Sequence, residues 1–154
     1  METRLNLTGS PLAAKSMKYL ASASRVILTD PVLPTATKDL VLLRASQING
    51  CGFCTDIHTK DAAHAGESPV RINLVATWRE STVFTDPERA ALELTEQGTH
   101  IADAAGGVTD EAWAQASTHY DEEQLAALSC LIALINASNR LGVITRQQGG
   151  EYQR

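Results

Sequence analysis

Two thiols and an imidazole crowd into the stretch Ile48 to His58, which reads Ile-Asn-Gly-Cys-Gly-Phe-Cys-Thr-Asp-Ile-His. Cys51 and Cys54 are three residues apart, and His58 follows four after the second cysteine. In a helix begun near Cys51, positions i and i+4 lie on one face a turn apart, which makes Cys54 and His58 neighbours. Gly50 is suited to end a preceding helix and Gly52 leaves the backbone open around Cys51, so both thiols are expected at or near a new helix N-terminus. The partial positive charge of that terminus favours thiolate over thiol. An imidazole one turn along can take or return the proton. These features describe a dithiol prepared for redox chemistry.

Other chemistry fits the same residues less well. The run offers three zinc ligands, but no second paired-cysteine or paired-histidine half-site completes a set of four. An inert disulfide here would close a very short loop and remove little unfolded-state entropy. Taken alone, His58 would be a surface histidine, and its spacing from Cys54 is what argues for a role. The third cysteine, Cys130, lies in the apolar run Leu125 to Leu134 and is expected to be a buried small hydrophobe.

The segment Leu40 to Gly66, which contains this run, closely resembles the AhpD-like alkylhydroperoxidases of the carboxymuconolactone decarboxylase family. The likeness continues through Ala76-Thr77-Trp78-Arg79-Glu80-Ser81 and Glu88-Arg89-Ala90-Ala91-Leu92, and returns at Ile132 to Leu141. That family's active pattern is an acid, then Cys-x-x-Cys, then His, the acid usually being Glu twelve positions before the first cysteine. Here that position is Asp39, one methylene shorter. Some members carry a His between the cysteines where this chain has Phe53. The resemblance implies roles for Cys51, Cys54, His58 and Asp39 in a dithiol cycle, with an organic hydroperoxide as substrate and a dithiol or protein as reductant. It also implies assembly through helices, as a homotrimer or a homohexamer built from it. Lactone decarboxylation, known in the wider family, is disfavoured, because the decarboxylases proper lack the paired cysteines present here.

At 154 residues and 16.5 kDa the chain fits one domain, residues 1–154, long enough to bury a core. A hydrophobic fraction of 44% with only 5% aromatic calls for a core of Ala, Leu, Ile and Val between closely packed helices. A formal charge of -5 argues against a nucleic-acid partner, which would need a surplus of Lys and Arg on one face. The N-terminus lacks a signal-peptide apolar core and no uninterrupted apolar run suits a membrane, so a cytoplasmic location is expected. A close cysteine pair in that compartment is more often catalytic than structural.

The elements that must position the pair follow from caps and periodicity. Residues 1–9 form an extended leader, and Ser10-Pro11 starts a helix to about Ala23. Val26 to Thr35, broken by Asp30-Pro31 and Pro34, is expected as a loop. Thr35 to Asn49 is helical and carries Asp39; the next helix runs from Cys51 to about Ala65 and stops at Gly66, and the two are expected to pair antiparallel around the site. Ser68-Pro69 starts a short helix to about Ala76. Thr85-x-x-Glu88 is a capping box for a helix from Asp86 to about Asp103, and Thr109 caps another to about His119. Asp121-x-x-Gln124 opens the apolar run Leu125 to Leu141, expected to be central or to lie against a second subunit. Residues 147–154 are a polar tail, expected to be frayed.

The expected protein is therefore all-α, a compact single-domain bundle of six or seven helices. Cys54 attacks the peroxide because His58 lies one turn beyond it, Cys51 resolves, and Asp39 orients His58. No metal is expected, and no cofactor beyond the redox-active disulfide Cys51–Cys54.

Overall fold

Every α-helix but one starts on a side chain that satisfies its first turn. In the computed structural model, which describes residues 2–103 and 106–153, these helices are α1 (Pro11–Thr29), α2 (Thr35–Ile48), α3 (Gly52–His64), α4 (Pro69–Leu74), α5 (Asp86–Thr99), α6 (Asp110–Ser117) and α7 (Glu122–Thr145). Ser10 accepts the Ala13 N–H, Thr109 the Ala112 N–H, and full capping boxes open α5 at Thr85 and Glu88 and α7 at Asp121 and Gln124. Short 3-10 turns occupy Leu7–Gly9, Val75–Glu80 and His100–Ala102. No strand occurs among the described residues. Met1 of the expected leader and Arg154 of the expected tail lie outside the described residues.

The uncapped helix, α2, is the centre of the bundle. Its Val41, Leu42 and Ala45 meet Ala90, Leu94, Leu128 and Ile132 in one apolar cluster. On its other side Leu40 and Leu43 meet Ala62, Val75, Trp78 and Leu92 in a second. A helix enclosed from two sides needs no polar stripe, and even Lys38 is buried. Its Nζ donates to the carbonyls of Leu28 (2.9 Å) and Asp30 (2.8 Å), capping the end of α1.

Several expectations are corrected. Helix α1 continues through Val26–Ile27–Leu28 to Thr29, six residues past the expected end at Ala23, and the connection to α2 shortens to Asp30–Pro34. The apolar run there is the last turn and a half of an amphipathic helix, halted at Asp30 because Pro31 pushes its predecessor out of helical conformation. Cys130 is exposed, not buried. The inner face of α7 is set by Leu128, Leu131, Ile132, Ile135 and Asn139, and Cys130 falls on the opposite side. Accordingly α7 is half-enclosed within the chain and α2 holds the central place, so of the two positions expected for α7 the central one is corrected and the one against a second subunit is left standing. Helix α7 has the length and hydropathy of a membrane span, with mean hydropathy 1.5, yet its inward Asn136 and Asn139 are buried and hydrogen-bonded within the bundle.

Both chain ends, expected to be loose, make specific bonds. The Arg4 N–H donates to Thr145 O (2.9 Å), and Gln147 Nε2 donates to Leu5 O (3.0 Å). The tail lies on α3: Asp56 accepts the N–H groups of Gly150 (2.8 Å) and Tyr152 (3.2 Å), and Lys60 Nζ donates to Tyr152 O (2.8 Å). Tyr152 Oη also donates to Asp61 (3.3 Å).

The Trp78-Arg79-Glu80-Ser81 stretch, part of the sequence likeness, has structural work to do. Glu96 accepts Trp78 Nε1 (2.7 Å), Arg44 Nε (2.7 Å) and the Arg79 guanidinium. Burial raises the Glu96 pKa, but these donors outweigh it and hold the carboxyl below its ordinary range. They tie α5 to α2 and to the 3-10 turn, which fixes the frame on which α2 carries the site.

Candidate active site

The turn between α2 and α3 is locked by a buried amide network before any chemistry begins. Asn49 Nδ2 donates to Asn136 Oδ1 and Asn139 Oδ1, both at 3.0 Å. Asn139 Nδ2 donates to Ser46 Oγ (3.1 Å), and Asn136 Nδ2 to Thr99 Oγ1 (3.1 Å). A satisfied polar network inside a core fixes one arrangement of its members. Gly50 then turns with φ +64°, a conformation that suits glycine. The Cys51 N–H returns to Ser46 O at 3.0 Å.

Cys51 thereby becomes the N-cap of α3, where its Sγ accepts the Cys54 N–H at 3.3 Å. The two cysteines are joined as a disulfide, with a Cα–Cα distance of 5.3 Å, and both are buried. They face different openings. Cys54 and His58 line a mostly apolar cavity of about 260 Å³ with Met17, Leu20, Ile57 and Leu141 among its walls. Cys51 lines a wider cavity of about 570 Å³ with Arg4, Gly52, Arg146, Gln148 and Gly149.

Gly142 of α7 stands between them and lines both cavities. A Cβ at this position would lie 2.9 Å from Cys51 Sγ and 3.6 Å from Cys54 Sγ. The disulfide therefore packs directly onto the bare backbone of α7.

His58 also lines a third, smaller cavity of about 190 Å³ together with Asp39, Asp61, Lys38 and Leu42. Of the residues singled out from the sequence, then, Cys51 and Cys54 are bonded, Cys54 and His58 share one cavity, and His58 and Asp39 share another. Burial pushes the His58 pKa down to about 4, with the negative charge of Asp61 opposing the shift. The imidazole is therefore neutral at pH 7, and a base held this low takes a thiol proton only as the opposite charge of the thiolate left behind raises it again. A stability consequence follows. Because the folded pKa lies below the ordinary 6.5, the unfolded chain binds the extra proton, so this contribution is complete above about pH 6.5 and is lost as pH falls towards 4. Denaturant midpoints at pH 7 and pH 5 are expected to differ less in His58→Gln than in the unmodified chain.

Three features escaped the sequence. Asp61, which the sequence did not single out, is half-buried and is a second carboxylate beside His58. The apolar walls from Met17 and Leu20 come from a helix distant in sequence. Gly142 could have been noticed, since an interior glycine weakens a helix by about 1 kcal/mol against alanine and calls for a packing reason.

Comparison with known proteins adds the following. The profile of the carboxymuconolactone decarboxylase family matches residues 14–97. The uncharacterized protein YdfG of Bacillus subtilis (strain 168) is 37% identical over 132 residues, spanning 86% of this chain and 88% of that protein. The uncharacterized protein YnjA of Escherichia coli (strain K12) is 35% identical over 111 residues, 72% of this chain and 57% of that protein. A crystal structure from Agrobacterium tumefaciens, of a protein of unknown function provisionally assigned as the antioxidant defence protein AhpD, matches with a TM-score of 0.90 and 35% identity, covering 98% of this chain and 100% of that one. The debrominase Bmp8, solved with 2,3,4-tribromopyrrole, shares the fold at a TM-score of 0.77 and 16% identity, over 97% of this chain and 91% of its own.

Proposed function

The chain belongs to the carboxymuconolactone decarboxylase family, and from that premise we propose that it is a thiol-dependent peroxidase that reduces organic hydroperoxides with Cys51 and Cys54. The observation that carries this reading is the apolar cavity shared by Cys54 and His58, which suits the organic part of a hydroperoxide beside a thiol and its base.

In the reduced protein His58 takes the proton of Cys54, and the thiolate attacks the distal peroxide oxygen. The O–O bond breaks, Cys54 becomes a sulfenic acid, and the alkoxide leaves as alcohol after protonation. Cys51 then attacks the sulfenic sulfur, forming the Cys51–Cys54 disulfide and releasing water. A dithiol reductant restores both thiols and leaves as its own disulfide. Asp39, which shares the third cavity with His58, orients the imidazole. The proposed enzyme works in the cytoplasm as a homotrimer or homohexamer, in which a second copy would cover apolar side chains exposed on α1 and α7, such as Leu12, Val26 and Ile144.

Consumption of cumene hydroperoxide by the purified protein with a dithiol reductant tests the proposal. Reduction of disulfide substrates without hydroperoxide consumption would instead make the protein a thiol-disulfide oxidoreductase serving another peroxidase. Within the peroxidase reading, Asp39→Asn is expected to lower turnover while Asp39→Glu preserves or raises it. Unchanged kinetics in Asp39→Asn would remove Asp39 from the mechanism.

A further inference from the structure

Two carboxylates stand near His58, and one of them is held by the end of the chain. Asp61 follows His58 by three residues on α3, so the two side chains lie on one face a turn apart. Both line the third cavity. Tyr152 of the tail donates its Oη to Asp61 (3.3 Å), and the tail that carries it is pinned by Asp56 and Lys60 on the same helix. The remaining charges around the imidazole come from α2. Lys38 and Asp39 line the cavity, and Lys38 Nζ is committed to carbonyls at the end of α1. Among the described residues, α1 and α7 bring no charged side chain to either cavity that His58 lines. The negative charge of Asp61 works against the burial that depresses the proton affinity of the imidazole.

We propose that Asp61, steadied by Tyr152, is a positioning residue for the proton transfer between Cys54 and His58, and that the C-terminal tail is thereby part of the active site. In that transfer the Cys54 S–H bond breaks, the sulfur keeps the electron pair as thiolate, and the proton forms an N–H bond on the imidazole. The imidazolium then has the thiolate one turn before it on α3 and the Asp61 carboxylate one turn after it. That carboxylate favours the ion pair over neutral thiol and neutral imidazole. It also repels the thiolate directly, but Asp61 is seven residues from Cys54, about 10 Å along the helix axis, and only three from His58. Attraction to the nearer imidazolium outweighs the repulsion. The inference rests on the dithiol cycle proposed above, and it concerns only how the first thiolate of that cycle is made.

The test reads the thiolate with no hydroperoxide present. In full-length Cys51→Ser, the rate at which neutral iodoacetamide alkylates Cys54 is followed from about pH 5 to pH 9, a range that spans ordinary thiol titration. Mass analysis of the Cys54 peptide keeps it apart from the exposed Cys130. Adding Asp61→Asn is expected to slow labelling near neutral pH by on the order of tenfold, the low end of what an opposite charge within about 4–6 Å is worth, and to move the onset of reactivity to higher pH. Asp61→Glu is expected to keep most of the rate, and Tyr152→Phe to lose a smaller part of it in the same direction. The slowing is expected to disappear where His58 is already Gln, since it acts through the imidazole. Equal labelling at the alkaline end, where the thiol ionises without its base, establishes that fold and access are intact. An unchanged profile in Asp61→Asn, an onset moved to lower pH as direct repulsion alone would give, or a slowing that persists without His58 would overturn the role of Asp61. An effect in Asp61→Asn with none in Tyr152→Phe would overturn the part given to the tail. A chain that consumes no hydroperoxide still gives a definite profile here, so failure of the peroxidase reading and failure of this one are told apart.

Discussion

Cys54→Ser is expected to abolish hydroperoxide turnover and to leave no sulfenic acid at Cys51, whereas Cys51→Ser reacts once with peroxide and stalls as a sulfenic acid at Cys54. Both variants lose steady-state activity, so the distinction lies in the single turnover, read by a sulfenic-acid trap and mass spectrometry. Two local effects pull in opposite directions. Cys51 sits at the N-cap with its sulfur on the Cys54 N–H, which stabilises negative charge on the first cysteine. Cys54 shares its apolar cavity with a neutral imidazole, which supplies both a base and room for the substrate. Access decides between them, since a stabilised thiolate is of no use where the hydroperoxide does not enter, and the apolar cavity is lined by Cys54 and not by Cys51. Labelling at Cys51 in Cys54→Ser, with none at Cys54 in Cys51→Ser, would reverse the order.

Gly142→Ala is expected to damage the oxidised protein more than the reduced one, and Gly142→Val to do so more severely. The added methyl would stand 2.9 Å from Cys51 Sγ, and the disulfide leaves that sulfur little room to retreat. Forcing an extra carbon into a packed site typically costs about 1–3 kcal/mol. Part of this is offset in Gly142→Ala, because alanine is the better helix former by about 1 kcal/mol. The expected signature is therefore differential: denaturant midpoints of wild type and variant diverge in the disulfide form and approach one another after reduction. Turnover falls as well, because each cycle must pass through the disulfide. Equal destabilisation of both redox forms would mean that the clash is absorbed by α7 and that the glycine serves only helix packing.

Much of this site was legible because its signals are local. The cap at Cys51, the turn at Gly50 and the one-turn step from Cys54 to His58 depend on residues within one turn of each other, and helix geometry alone connects them. The capping boxes at Thr85 and Asp121 were readable for the same reason. What failed to read was set by contacts between elements far apart in sequence. Periodicity says that α7 has an apolar face but not which neighbours will fill it, so Cys130 was placed on the wrong side. Nothing local to Lys38 marks it as buried, and it turns inward because the carbonyl end of α1 lies within its reach. Asp61 follows His58 by three residues on α3, so helix geometry alone makes them neighbours, and what the packing of α3 against α2 adds is their partial burial. The tail has a composition typical of loose ends, and its bonds to Asp56 and Lys60 arise from where α3 leaves those side chains.

The disulfide, backed by Gly142, amounts to a septum with a separate antechamber on each side. Each cavity reaches the same pair of sulfur atoms through walls of different chemistry. Side chains such as Met17 and Leu20 belong to one chamber, Arg4 and Arg146 to the other. A substitution in the wall of one chamber, at Met17 or at Arg4 for instance, then alters one approach to the sulfurs and leaves the other as it was.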